Sequence, residues 1–472
     1  MRVRVFRNFV VYSISNYLPK FGNFLLLPFI SSYLTTSDFG NYVLALSIIQ
    51  AFSYLKMLGM DLIISNVYFK HPKLFKPFWN HVYGFLTLAS LILGVVFFLI
   101  LFLVFKSEEY AFLLAILTSI PIIFFSVTEG IYLRLYNAMQ KSENFLYRSI
   151  LFGLVNILTT YYCIVELKLG FMGWFWAALL ASFISFLFMI YVLIFKEGIV
   201  PYFFIRWKSI MRILRVSLPI LPHYYGTYLM STSDRLQLKF LGQSTTDIGK
   251  YGIAAMFSNV AQMISNSFKL SVGPQLTTYL RDHDFISYLK AIRRYQVIFL
   301  FLTIFLSVWL NEIVSIFFSK QYEVSISDMA IWLVMSINYV PIYMAINQQF
   351  FFYEKTKSLW KRSFFAFAVN LLLNIVFVPV FGVVVAAIST FLTNFFFAIS
   401  GMFMDDFKMI CKVKIRAIEW MLLCLFITLF LVYLLPNNPI IKISISIIVA
   451  LFLIFYFKTT IRNFYNAFFT KS

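Results

Sequence analysis

The sequence predicts an all-α, polytopic integral membrane protein of about 14 transmembrane helices. Three observations carry that expectation. Of the 472 residues, 61% are apolar and only 12% charged, whereas soluble domains run near half and a quarter. The apolar residues come in blocks of about twenty, such as VYGFLTLASLILGVVFFLILFLVF at 82–105, long enough to cross a hydrocarbon core of about 30 Å as a helix. The basic residues collect in alternate connections between those blocks.

Taken in order, the spans are expected at 9–33, 40–66, 79–105, 110–135, 145–167, 170–195, 216–241, 250–278, 286–311, 325–352, 358–378, 382–404, 417–435 and 441–461. The N-terminal stretch MRVRVFRNFVVYSISNYL has no small-residue cleavage site and reads as a retained first span. The termini and even-numbered connections hold 29 of the 39 Lys and Arg, among them Arg134, Lys141, Arg148, Lys361 and Arg362. The odd-numbered connections hold six. Basic loops stay in the cytoplasm, so both termini are expected there. Between the sixth and seventh spans, FFIRWKSIMRILR (203–215) sets apolar and basic residues at helical spacing, as a helix lying in the membrane interface would.

The net charge of +20 is scattered in short clusters rather than on one basic, aromatic-interleaved face, so nucleic acid is not an expected partner. Cys163, Cys411 and Cys424 show no metal-ligand or redox spacing, and neither metal nor cofactor is expected.

The chain also repeats itself. SDFGNY (37–42) matches TDIGKY (246–251), and GWFWAA (173–178) matches GVVVAA (382–387), each 209 residues on. QKSENFLYRS (140–149) matches EKTKSLWKRS (354–363) at an offset of 214. Two six-helix lobes of like orientation follow, an N-lobe at 1–200 and a C-lobe at 201–410, with two further helices at 411–472. Repeats about an axis along the membrane normal are a transporter arrangement, with substrate bound between the halves.

Once those near span ends are counted with their connections, four cations remain in span interiors: Lys20, Lys56, Arg235 and Lys269. They fall on the first two helices of each lobe. An intramembrane cation costs about 2.5–3.5 kcal/mol on insertion scales and faces a cavity as a rule. A central basic cavity for an anionic ligand is therefore expected. Asp61, Glu129 and Asp234 are the candidate partners or coupling groups, with Asp234 holding a neighbouring helix while Arg235 faces the cavity. Pro19, Gly22 and Pro28 in helix one, and Pro219, Pro222 and Gly226 in helix seven, mark corresponding helices able to bend.

SLPILPHYYGTYLMSTSDRLQLKFLG followed by DIGKYGIAA (217–255), and NLLLNIVFVPVFGVVVAAISTFL (370–392), resemble the polysaccharide transporter flippases. That branch lies within the multidrug/oligosaccharidyl-lipid/polysaccharide exporter superfamily. The resemblance implies a flippase carrying undecaprenyl-pyrophosphate-linked oligosaccharides across the bacterial inner membrane, for O-antigen, capsule or related glycans. It implies membrane lipids, a polysaccharide polymerase and a chain-length regulator as partners. By motif it carries over Asp234 and Arg235 alone. One rival is an ion-coupled drug exporter of the same superfamily, whose cavity would need more acidic residues. The other is a membrane enzyme such as a polymerase or acyltransferase. The short outer connections, which hold none of the four His, speak against it, and there is no phosphate-binding G-x-x-x-x-G-K-[ST] sequence.

Overall fold

The computed structural model describes residues 15–469, apart from 16, 20, 61–63, 65–66, 69–72, 140, 219–220, 319–324, 354–358, 411–414 and 435–437. Among the described residues, nine helices are long and apolar enough to span a membrane, and Ala417–Tyr433 is a shorter apolar one. The chain divides into two units. The first is Met1–Gly252 with Phe317–Ser319, and the second is Ile253–Ile316 with Lys320–Ser472.

In the first unit, α1 covers 21–30 and α2 Thr36–Ser53. Then come α3 (Phe75–Val104), α4 (Ala111–Ala138), α5 (Glu143–Glu166) and α6 (Met172–Glu197). Helix α2 starts four residues earlier than expected because Thr35 and Asp38 form a capping box. The Thr35 hydroxyl accepts from Asp38 N, and Asp38 accepts from Thr35 N, which satisfies two of the free N–H groups of the first turn. The helix also ends early. Residues 54–60 form turns, with Leu58 at φ 46° and Gly59 at φ 70°, so the expected helix over 40–66 is interrupted at Lys56.

Helix α4 contains Pro121, which cannot donate a backbone hydrogen bond, and the chain widens into a looser turn over Pro121–Phe125. The hydroxyls of Ser90 and Ser126 donate to the carbonyls of Ile123 and Ile122 at 2.7 Å each, as backbone loosened inside a bilayer requires. The core of this unit gathers Trp79, Tyr132, Tyr136, Ile131 and Leu193, and Trp79 Nε1 donates to the Ile64 carbonyl at 3.1 Å. The interfacial helix α7 (Trp207–Ser217) rests Ile210 on this core and leaves Trp207, Met211 and Val216 exposed.

The expected seventh span is broken into α8 (Leu221–Ser231) and α9 (Asp234–Phe240), separated by a turn at Thr232–Ser233. The first turns of α10 (Thr245–Arg281) complete the unit. Here the repeat becomes contact. A Cβ on Gly40 would lie 1.8 Å from the Thr245 carbonyl oxygen, and one on Gly249 would lie 1.9 Å from that of Thr36. Thr36 and Gly40 match Thr245 and Gly249 at the same 209-residue offset, so each repeat's glycine accepts the other's backbone. Ser37 Oγ and Thr245 Oγ1 share a hydrogen bond of 2.9 Å at this crossing.

The second unit continues α10 and adds α11 (Phe285–Val308), α12 (Leu310–Phe317), α13 (Ile326–Phe352), α14 (Leu359–Phe381), α15 (Val384–Ser400), α16 (Asp405–Ile410), α17 (Ala417–Tyr433) and α18 (Pro439–Phe469). Helix α13 is its axis, 89% of its spanning window being buried. Tyr288, Tyr295, Phe299 and Met421 from other helices share its core. Helix α18 is apolar yet only 6% of its window is buried, as expected of a helix facing lipid.

Candidate functional site

The first unit encloses a cavity of about 330 Å³ between α1, α2, α4, α5 and α6. Its wall is aromatic and aliphatic, with Tyr42, Phe52, Phe125, Phe152 and Trp174. Against that wall stand Lys56, Glu129 and Arg148, with Asn23 and Asn156 nearby. Lys56 comes from the unwound end of α2, Glu129 from the turns of α4 after the Pro121 loosening, and Arg148 from the second turn of α5.

Glu129 holds both cations. Arg148 Nη2 donates to Glu129 Oε1, and Lys56 Nζ stands 3.7 Å from Glu129 Oε2. The Arg148 guanidinium also lies over the Phe152 ring, 5.1 Å from its centroid. Two cations meet one carboxylate, so the site keeps one positive charge in excess. Asn23 Nδ2 donates to Asn156 Oδ1 at 2.9 Å, while Asn23 Oδ1 and Arg148 Nε are buried with no hydrogen-bond partner among the described residues. Apolar walls with a few convergent polar groups are the usual composition of a ligand site.

The other expected site residues are dispersed. Asp234 and Arg235 open α9, both buried, and both engage Tyr251 of α10. Tyr251 donates its hydroxyl to Asp234 Oδ2 at 2.6 Å, and the Arg235 guanidinium lies 5.4 Å from the ring centroid. Arg235 does not line the cavity that Lys56 lines. Lys269, in the second unit, donates to Asn266 Oδ1 at 3.3 Å and lies 5.8 Å from the Tyr343 ring centroid. Lys20, Asp61 and Pro219 lie outside the described residues.

Among the expected hinge positions, Gly22 is a close helix crossing, since a Cβ there would lie 2.3 Å from Ile157 Cδ1. Pro19 packs beside Gly153 of α5. Pro28 sits within α1. Pro222 is the second residue of α8, where a missing N–H costs nothing, and Gly226 is buried within the same helix.

Residues 5–279 match the family described as polysaccharide biosynthesis protein. The chain belongs to that family. No curated protein matches it in sequence. Among solved structures, the lipid II flippase MurJ in an inward closed conformation aligns with a TM-score of 0.73 at 17% identity, covering 96% of this chain and all of that one. An inward-facing multidrug resistance MATE family transporter of the MOP superfamily aligns at 0.65 and 17% identity, covering 85% and 97%. An outward-facing one aligns at 0.58 and 17% identity, covering 86% and 94%. This member of the polysaccharide biosynthesis family is therefore a multi-pass membrane protein with the fold those transporters share.

Two cations of this family member escape a reading by loops. Arg148 and Arg362 are counted with connections although they open the expected spans 145–167 and 358–378, and both stand inside helices, α5 and α14. The signal that finds them is the shared R-S ending of QKSENFLYRS and EKTKSLWKRS. A basic residue recurring at one register of both repeats is answering to packing rather than to topology.

Proposed function

We propose that this protein is a flippase. It carries undecaprenyl-pyrophosphate-linked oligosaccharides from the cytoplasmic to the periplasmic face of the bacterial inner membrane, for O-antigen, capsule or related glycans. The observation that carries the reading is the cavity of the first unit, where Lys56 and Arg148 outnumber Glu129. A diphosphate head group needs cations, and an undecaprenyl tail stays in the lipid outside. Membership of the polysaccharide biosynthesis family supplies the glycan. The likeness to MurJ and MATE transporters supports the fold on which such movement runs.

In the proposed mechanism two lobes, 1–200 and 201–410, alternate access to the head group, and both termini stay cytoplasmic. The Gly40–Gly249 crossing separates and re-forms in each cycle. Unequal affinity of the two states for the head group shifts their populations. A polymerase and a chain-length regulator receive the product on the far side.

The test is mass spectrometry of lipid-linked intermediates from cells with and without the gene. Accumulation of an undecaprenyl-pyrophosphate oligosaccharide in the deletion is the expected result. Unchanged intermediates with loss of transport of some soluble compound would point to an exporter instead.

A further inference from the structure

The cationic constellation of the first unit has a counterpart in the second, altered at one position. Tyr343 and Arg362 follow Glu129 and Arg148 by 214 residues, and Lys269 follows Lys56 by 213. The three side chains of the second unit again come together. Lys269 Nζ and the Arg362 guanidinium lie 5.8 and 5.9 Å from the same Tyr343 ring centroid. Where the first unit sets a carboxylate between its two cations, the second sets a neutral phenol.

The Arg362 site is built for a guanidinium. Its Nη1 donates to Asn347 Oδ1 at 2.6 Å, Nη2 to the Phe397 carbonyl at 2.9 Å and Nε to Ser400 Oγ at 3.3 Å. The Phe397 ring covers it at 5.0 Å. A Cβ on Gly401 would stand 2.8 Å from its Cζ, so the glycine makes the room. Arg362 is 4% exposed. All its partners are neutral, and no carboxylate pairs with it or with Lys269 among the described residues. Three of its five N–H groups are engaged, which leaves one on each Nη. A buried cation without a counter-charge is costly, and two beside one ring repel each other. The arrangement is complete when an anion enters.

We propose that Lys269, Tyr343 and Arg362 form a second anion site, in which a phosphate-class anion supplies the charge that Glu129 supplies in the first unit. Lys269 makes the direct contact. Arg362 acts as a positioning residue that sets the local potential and aligns the Tyr343 ring. Only the identification of the anion with the diphosphate of the cargo rests on the flippase reading.

The test is titration of the purified full chain with inorganic pyrophosphate, followed by calorimetry, in nanodiscs of phosphatidylcholine and in nanodiscs containing phosphatidylglycerol. Tyr343→Glu transplants the carboxylate of the first unit into the second. It is expected to weaken pyrophosphate binding at the second-unit site by about 10-fold or more, because a carboxylate beside the anion is a like-charge contact, and to raise the melting temperature without ligand. Lys269→Gln is expected to weaken binding similarly. Weaker binding to the wild type in phosphatidylglycerol, still sensitive to Tyr343→Glu, assigns the site to a lipid head group's phosphate. Wild-type affinity in both Tyr343→Glu and Lys269→Gln overturns the proposal, as does absence of binding to the wild type. If that happens while lipid-linked oligosaccharide accumulates in the deletion, the flippase reading stands and the second site falls. Binding sensitive to Tyr343→Glu with no accumulation has the opposite meaning.

Discussion

Glu129 carries the first unit's polar chemistry because it is the shared ion-pair partner of Lys56 and Arg148. Each ion pair at about 4 Å is an attraction of about 4 kcal/mol at an effective dielectric of about 20, much of it offset by desolvation. Removing the carboxylate leaves two partly buried cations facing each other. Glu129→Gln is therefore expected to lower the stability of the purified protein by about 2 kcal/mol, read as an earlier thermal transition in detergent. The double variant Glu129→Gln/Arg148→Met should recover part of that loss. An unchanged transition in Glu129→Gln would show that the triad is not held as a unit. Lys56 and Glu129 were legible in the sequence as charges inside expected spans. Arg148 lies in the expected span 145–167 but was set aside, because a rule that sorts charge by connection counts a cation near the start of a span with the loop before it. What separates them is the direction of the side chain, and Arg148 turns toward Glu129 and Phe152.

Helix ends and helix crossings decide where such side chains stand. The sequence reading expected continuous helices over 40–66 and 216–241, and both are broken. Hydropathy averaged over about twenty residues passes over a single turn. The local chemistry was present in STSD (231–234), since Ser and Thr hydroxyls compete with the helix for backbone groups and Asp favours a helix's first turn. In the same way, TTSD (35–38) carried the capping box that starts α2. Thr35→Ala should cost about 1 kcal/mol, measurable as a lower melting temperature, and an unaltered melt would mean the cap is redundant. The α2–α10 crossing makes a stronger prediction. Ser37 and Thr245 are in hydrogen-bond contact, so Ser37→Cys/Thr245→Cys should cross-link under oxidation. Transport should stop in the oxidised double variant and return on reduction, with each single variant active. Full transport by the cross-linked protein would show that this crossing stays shut throughout the cycle. Gly40→Val should prevent the crossing from forming, because its Cβ would fall 1.8 Å from the Thr245 oxygen.

At the scale of the whole chain, three short matches predict a two-fold repeat, and residues of one match, Gly40 and Gly249, meet in a reciprocal contact. The all-α membrane architecture was readable from composition, the apolar blocks and the alternation of basic connections. Sequence offered Glu129 as one of two partners for Lys56; what it could not supply was the Arg148–Glu129 pair, which depends on helices brought together by the fold. The repeats also diverge where chemistry diverges, at Glu129 and Tyr343, and only the assembled side chains give that substitution a meaning. We propose that a cationic cavity moves a diphosphate-linked glycan across a bilayer. The most direct measurement is reconstitution of the purified chain into sealed liposomes carrying a fluorescent undecaprenyl-pyrophosphate oligosaccharide, with the labelled glycan on the trans face detected by a quencher. Transfer that depends on the protein and falls strongly in Lys56→Gln/Arg148→Gln is the expected result. Liposomes in which the wild-type protein moves no more lipid-linked glycan than empty vesicles, under conditions where it remains folded, would contradict it.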